Sequence, residues 1–334
     1  MEKTFIIAEV GVNHNADFSL ALQLIDEARQ SGADAVKFQV AVPDLVATSN
    51  SPKAEYQHKI TCSSENQLEM IKSLHFPLDT FVSLKARCEE LNIVFFASAF
   101  DLVSLDFVEN LGQPIHKIPS GEITNFPFLQ RIGGYKKPVL LSTGMSITSE
   151  IADATDVLEK SGVKRDQITV LHCNTEYPTP FNDVNLRVLK TFEDQFGTRV
   201  GYSDHTDGIA IPIAAVALGA TVIEKHFTVD KSLPGPDQKA SLEPKEFRNM
   251  VDAIRETELA LGSSEKLVTP SEGKNLISVR RSIVASKPIR MGERFTEKNI
   301  VAKRPATGIT PMLWHHVLGQ IAIKDFETDE LIVI

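Results

Sequence analysis

Eight short apolar runs, each followed by a segment of helical character, constrain this chain more than any other feature. They are FIIAEV (5–10), AVKFQV (35–40), IVFFASAF (93–100), IHKIPS (115–120), KPVLLSTG (137–144), the run 168–173, VGYSDH (200–205) and VIEKHF (222–227). Strands joined by helical crossovers lie parallel and are covered on both faces, so they read as continuous apolar runs. At or just beyond their ends stand Glu9, Lys37, Lys117, Ser120, Glu122, Ser142, Thr175, Ser203, His205 and His226. An open doubly wound sheet also accommodates eight strands. Polar groups at nearly every strand end, as when eight loops converge on one mouth, instead predict an α/β fold of the (β/α)8 barrel type over residues 1–262.

The rest of the chain is small. Residues 263–281 carry charge, Ser and Pro without a strong apolar period and read as a linker with some helix. Residues 282–334 read as short strands with turns at Lys287–Pro288 and Met291–Glu293, a short helix in GITPMLWHHVLGQ and a last strand, DELIVI. That is a second domain near the minimum size for independent folding, with Trp314 in its core. The segment 43–78 is too long for an ordinary connection and is expected to form a functional loop or lid with some helix in it. A net charge of −9 removes the electrostatic case for nucleic acid or an anionic membrane. Cys62, Cys88 and Cys173 form no CxxC pair, which suggests a reducing compartment and no zinc cluster. The apolar run 5–8 is cut by Glu9, too short for a signal peptide or a span, so the cytoplasm is expected.

The seventh and eighth runs place His205 and His226 at the ends of neighbouring strands. A single histidine there is most simply a hydrogen-bonded cap. Two at matched positions, beside Asp204 and Glu224, favour a shared divalent cation such as manganese. Asp204 is expected to orient the His205 ring. Two lysines and several hydroxyls facing one mouth suit a phosphate or carboxylate. The plainer role for Lys37 and Lys117 is a buried ion pair with Glu9 or Glu122. Asp237 lies in a rigid Pro/Gly turn, LPGPDQ, either as a turn residue or as a ligand.

The motifs EVGVNHN, VKFQ, KIPSGEITN, LSTGM, LHC with YPTP, VGYSDHT, EKHF, GPD and KRP follow the order of the sialic acid (nonulosonic acid) synthase family. The chain resembles that family over essentially its whole length, and its last domain resembles the antifreeze-like (SAF) domain. The resemblance implies a TIM barrel followed by an SAF domain. It implies condensation of phosphoenolpyruvate with an open-chain N-acetylated mannosamine-type sugar, giving a nine-carbon 2-keto sugar acid and phosphate. Manganese, or another divalent ion such as Mg2+ or Co2+, would sit on His205 and His226. Lys37, Lys117, Ser98, Ser120, Thr175 and Ser203 would surround phosphoenolpyruvate. Glu122 would stand by the reacting carbons, with Glu9 and Lys117 also catalytic. Gln39, Tyr177 and Asp237 would hold the sugar. Arg304 would reach it from the last domain of a partner chain, in a domain-swapped homodimer.

Four positions depart from the family's common pattern: Ala16 for Gly, Ala97-Ser98-Ala99 for Ser-Thr-Pro, Gln238 for His and Ala306 for Gly. KAEYQ, HC-x-TEYP and KRPATGI look most like the legionaminic acid branch, whose acceptor resembles 2,4-diacetamido-2,4,6-trideoxymannose. An N-acetylneuraminate synthase using N-acetylmannosamine is the alternative. Two other classes fit the residues: a Schiff-base aldolase using Lys37 or Lys117, and a non-catalytic sugar-binding protein whose last domain is the binding unit.

Overall fold

The computed structural model describes residues 3–55, 57 and 66–334. Cys62, and Tyr56 of the KAEYQ run, lie outside the described residues. Eight parallel strands close a barrel in chain order: β1 (Phe5–Gly11), β2 (Ala35–Val40), β3 (Val94–Ala99), β4 (His116–Ile118), β5 (Val139–Ser142), β6 (Ile168–His172), β7 (Arg199–Asp204) and β8 (Val222–His226). A helix follows each strand: α1 (Phe18–Gln30), α2 (Thr80–Glu90), α3 (Leu102–Asn110), α4 (Phe126–Tyr135), α5 (Thr148–Ser161), α6 (Val188–Phe196), α7 (Ala210–Ala217) and α8 (Pro244–Leu261). The long β2–α2 connection carries further helix at Pro43–Val46 and Gln67–Leu74. The second of these starts at a reciprocal cap between Asn66 and Glu69. No helix among the described residues is long and apolar enough to cross a membrane.

The helices form where apolar spacing and caps agree. Asp17 accepts the backbone N–H groups of Ser19 and Leu20, which starts α1. Ala21, Leu24, Ile25 and Ala28 then recur on one face and are buried against the sheet. Gly32, at φ 88°, lets the chain turn back into β2.

Inside the barrel the strands' alternation builds two levels. Ile7, Phe96, Leu140, Leu171 and Val222 pack into an apolar floor. Two residues further along the same strands stand Glu9, Ser98, Ser142, Cys173 and Glu224, all facing one cavity. Gly201 completes the floor by lacking a side chain. A Cβ there would come within 2.5 Å of Leu171 Cδ2 and 2.7 Å of the Val222 carbonyl oxygen. Truncating a floor ring such as Phe96 is expected to cost about 3–5 kcal/mol.

The chain divides into two compact units, Met1–Gly262 and Ser263–Ile334. In the second unit, residues 263–281 hold a helix, Pro270–Val279, whose Ile277 carbonyl accepts the Ala306 N–H at 2.8 Å. Its sheet is β9 (Ser282–Ala285) antiparallel to β10 (Ile300–Lys303). The core is built on Ile283, Ile289, Phe295, Val317, Phe326 and Ile332, with Trp314 packed against it. The expected last strand, DELIVI, is not one: it makes an isolated bridge between Leu331 and Val284. Its hydrogen bonds go to β9 singly, Ile332 N–H to the Ile283 carbonyl among them, so no ladder forms.

Ala16, where relatives by resemblance commonly have Gly, adopts φ 54°. An L side chain in that region costs roughly 1–2 kcal/mol, and a Gly returns about 0.4–1 kcal/mol to the unfolded chain. Ala16→Gly should therefore stabilise the first unit by about 0.5–1 kcal/mol, read as a higher urea midpoint at unchanged slope. A lower midpoint would contradict the strain argument.

Candidate active site

The strand ends surround a cavity of about 600 Å³ on the first unit. Strand register brings its polar groups together: Glu9 lies opposite both Lys37 and His226, Gln39 opposite Ser98, Ser98 opposite Lys117, and Ser203 opposite Glu224. Gly11, at φ 55°, marks the irregularity where β1 leaves β2. A Cβ on it would press on Glu9 Oε1 at 3.1 Å and Gln39 Nε2 at 3.2 Å, so a side chain would crowd this corner.

The centre is a cluster of four buried charges. Lys37 Nζ lies 2.6 Å from Glu9 Oε2 and 3.6 Å from Glu224 Oε2, and Lys117 Nζ lies 3.3 Å from Glu224 Oε1. None of the four side chains is more than 5% exposed. Lys37 also donates to Ser98 Oγ at 3.1 Å, Ser203 Oγ donates to Glu224 Oε1 at 2.8 Å, and Gln39 Nε2 donates to Glu9 Oε1 at 3.2 Å. Burial pulls both lysines toward neutrality. At Lys37, Glu224 and Glu9 more than offset this and hold the ammonium above its usual range. At Lys117 burial prevails, with Lys37 adding to it, and the pKa is depressed. Burial pushes Glu224 up, but Lys117 and Lys37 pull it well below the usual carboxylate range. Glu9 is raised by burial, with Lys37 opposing and Glu224 reinforcing.

Beside this cluster the rings of His205 and His226 stand 5.3 Å apart, and Tyr177 stacks on His205 at 4.0 Å. His205 Nδ1 donates to the Asn174 carbonyl oxygen, which leaves Nε2 as its lone-pair nitrogen. His226 Nδ1 is buried with no hydrogen-bond partner. Burial lowers both histidines, His205 to about 4, so both rings are neutral and able to ligate. Among the described residues no group of three or more His, Cys, Asp or Glu is arranged to hold a metal. The donor set present is two neutral imidazoles with open positions beside them. That fits a divalent ion completing its shell with substrate or water oxygens.

The cavity lining takes in every site residue expected from the sequence except Glu122 and Arg304. Glu122 ends the one-turn helix Ser120–Glu122, half-buried, and accepts Asn125 Nδ2 at 2.6 Å, while Ser120 and Gly121 face the cavity. Arg304 is exposed on the second unit, just after β10. Asp204 does not orient the His205 ring, since Asn174 does so. It is taken instead by Lys225 at 2.6 Å. Glu224, read from the sequence as lying beside a cation, lies between two lysines.

Other lining residues were not singled out one by one in the sequence. Met70, Ile71, Leu74 and His75 come from the long β2–α2 connection, whose path no local pattern specifies. Cys173 Sγ lies 3.3 Å from Ser120 Oγ. Its place two residues beyond floor residue Leu171 was the signal that marks it as inward. Ser142 Oγ, also lining the cavity, is buried without a partner. Gln238, where relatives by resemblance have His, is fully buried and turned away from solvent. Its Nε2 donates to the Asn13 carbonyl at 3.0 Å.

Residues 24–266 match the NeuB family and residues 280–333 match the SAF domain. The N,N'-diacetyllegionaminic acid synthase of Campylobacter jejuni is 50% identical over 332 residues, covering 99% of each chain. The protein of the same name from Legionella pneumophila is 44% identical over 317 residues, 94% of this chain and 89% of that one. The crystal structure of an N-acetylneuraminic acid (sialic acid) synthetase from Leptospira borgpetersenii matches with a TM-score of 0.71 at 35% identity, covering 82% of this chain and 90% of that one.

Asp237, on the cavity wall, is raised from 3.8 to about 7 by burial and by Glu9, with Lys37 opposing. A carboxyl whose folded pKa is raised binds its proton more tightly in the folded state. Its contribution to stability is therefore full below pH 3.8 and is lost as pH rises to about 7. The shift corresponds to roughly 4 kcal/mol. Asp237→Asn in metal-free buffer should flatten the stability–pH curve over that window. A slope equal to that of the unaltered protein would refute the assignment.

Proposed function

Since this chain belongs to the NeuB family, we propose that it condenses phosphoenolpyruvate with open-chain 2,4-diacetamido-2,4,6-trideoxymannose, giving N,N'-diacetyllegionaminic acid and phosphate. The observation that carries this reading is 50% identity, over 99% of both chains, to an enzyme of that name. The cavity supports it: two buried lysines, several hydroxyls and two neutral imidazoles converge there.

Phosphoenolpyruvate brings a carboxylate and a phosphate. Lys37 and Lys117 exchange their protein carboxylates for these anionic groups, and the hydroxyls of Ser98, Ser120, Ser142, Thr175 and Ser203 donate to the remaining oxygens. A divalent cation held by His205 and His226, manganese in this reading, supplies Lewis acidity toward the sugar aldehyde. C3 of phosphoenolpyruvate forms a bond to the aldehyde carbon, whose oxygen gains a proton. Water adds to the cationic C2 and loses a proton. The C2–O bond to phosphorus then breaks, leaving the 2-keto acid and inorganic phosphate. Glu9 holds the Lys37 ammonium until phosphoenolpyruvate displaces it. Glu122 turns from Asn125 toward the reacting carbons when substrate binds, where it stabilises the C2 cation or moves its proton. Gln39, Tyr177 and Asp237 hold the acceptor, and Arg304 comes to it from the last domain of a partner in a domain-swapped dimer. Phosphoenolpyruvate is a cytoplasmic metabolite, so the reading puts the enzyme in the cytoplasm.

Phosphate release from phosphoenolpyruvate with manganese, comparing the two acceptors at equal concentration, tests the acceptor. The expected outcome is a preference of at least about tenfold in kcat/KM for the diacetamido sugar, on the order of 1.4 kcal/mol. A preference for N-acetylmannosamine would replace this reading with an N-acetylneuraminate synthase.

His205→Ala and His226→Ala should each abolish metal-dependent turnover while the protein still melts cooperatively. Full activity in either variant would remove the metal assignment.

A further inference from the structure

The residues immediately before the two histidines form a fully buried ion pair. Lys225 Nζ lies 2.6 Å from Asp204 Oδ2, and neither side chain has any exposed surface. The two are direct partners in the β7–β8 register. Strand alternation sends Ser203, His205, Glu224 and His226 into the cavity, and Asp204 and Lys225 to the opposite face. The pair therefore touches nothing in the cavity, and the reaction described above does not use it.

Most of its remaining bonds go to one place, Thr206, with the Tyr202 hydroxyl also bonding Asp204. Asp204 Oδ1 accepts the Thr206 backbone N–H at 3.0 Å and the Thr206 hydroxyl at 2.9 Å. Lys225 Nζ donates to the Thr206 carbonyl oxygen as well. The residues on both sides of His205 are thus fastened to the residue that precedes His226.

We propose that the Asp204–Lys225 pair is a positioning device that holds His205 against His226 at the separation a divalent cation requires. The proposal rests on the metal reading of the two histidines. Stability alone does not explain the pair, because apolar side chains of similar volume in such a place are often equally stabilising. What an apolar pair lacks is direction. One ammonium reaching two acceptors, and one carboxylate taking donors from the same turn, define where that turn sits.

The double variant Asp204→Asn/Lys225→Met removes both charges together, leaves no unpaired ion and changes the net charge by nothing. Manganese chloride alone is titrated calorimetrically into the full chain, with thermal melting and phosphoenolpyruvate kinetics measured alongside. The expected result is a melting temperature near that of the unaltered protein and a manganese Kd raised about 10–100-fold. kcat should recover at saturating manganese, with KM for phosphoenolpyruvate unchanged. An unchanged Kd in the folded double variant overturns the proposal. Should that variant not fold, Thr206→Val removes one donor to Asp204 and keeps the pair. A smaller rise in manganese Kd is expected there, and an unchanged Kd again overturns the proposal. A native protein that takes up no manganese, or takes it up equally after His226→Ala, overturns the metal reading itself and the proposal with it.

Discussion

Two ammonium groups and two carboxylates without water set the terms for the rest of the barrel. Each buried ion would cost several kcal/mol if left unpaired, so Lys37, Lys117, Glu9 and Glu224 persist only as a set. They touch because strand register aligns them, and register is held by the apolar floor one level below. A one-residue slip of any strand would turn its floor and mouth residues together away from the barrel interior. The gap at Gly201 and the irregularity at Gly11 belong to the same constraint, since a side chain at either would press on the floor or on the charge cluster.

In the proposed reading, this arrangement prepares the cavity for an anion. The carboxylates offset burial at Lys37 and hold its ammonium, while at Lys117 burial prevails. An entering phosphate or carboxylate then competes with Glu9 and Glu224 for ammonium groups already in place. The same burial that depresses Lys117 also keeps both histidines neutral, the state in which imidazole binds a cation. In the proposed reading, one physical cause, removal from water, thus serves both the anion and the cation. A depressed lysine is also what a Schiff-base aldolase needs. Here, however, the depressed ammonium is held against Glu224, and the chain belongs to a family of a different chemistry.

Much of the site was legible because strand alternation is a local rule. Once 222–227 is a strand, Glu224 and His226 share a face and Lys225 takes the other. The same parity, carried on from Leu171, turns Cys173 inward as well. The last six residues misled for a related reason. DELIVI has strand composition, but its backbone finds partners one at a time, and composition does not supply a ladder. Asp204 misled because adjacency in sequence was read as adjacency in space. A residue next to His205 in a strand points away from it, toward Lys225.

By itself the sequence determined the alternation of strand and helix, the barrel it closes, and which strand residues share the inward face. All of these follow from periods of two and 3.6 residues along the chain. Only the tertiary structure decided which charge meets which: Glu224 with two lysines, Glu122 with Asn125, Lys225 with Asp204 and Thr206. Those choices join residues distant in the chain. They depend on register, burial and the few ångströms over which a buried charge finds a partner, and no local pattern encodes them.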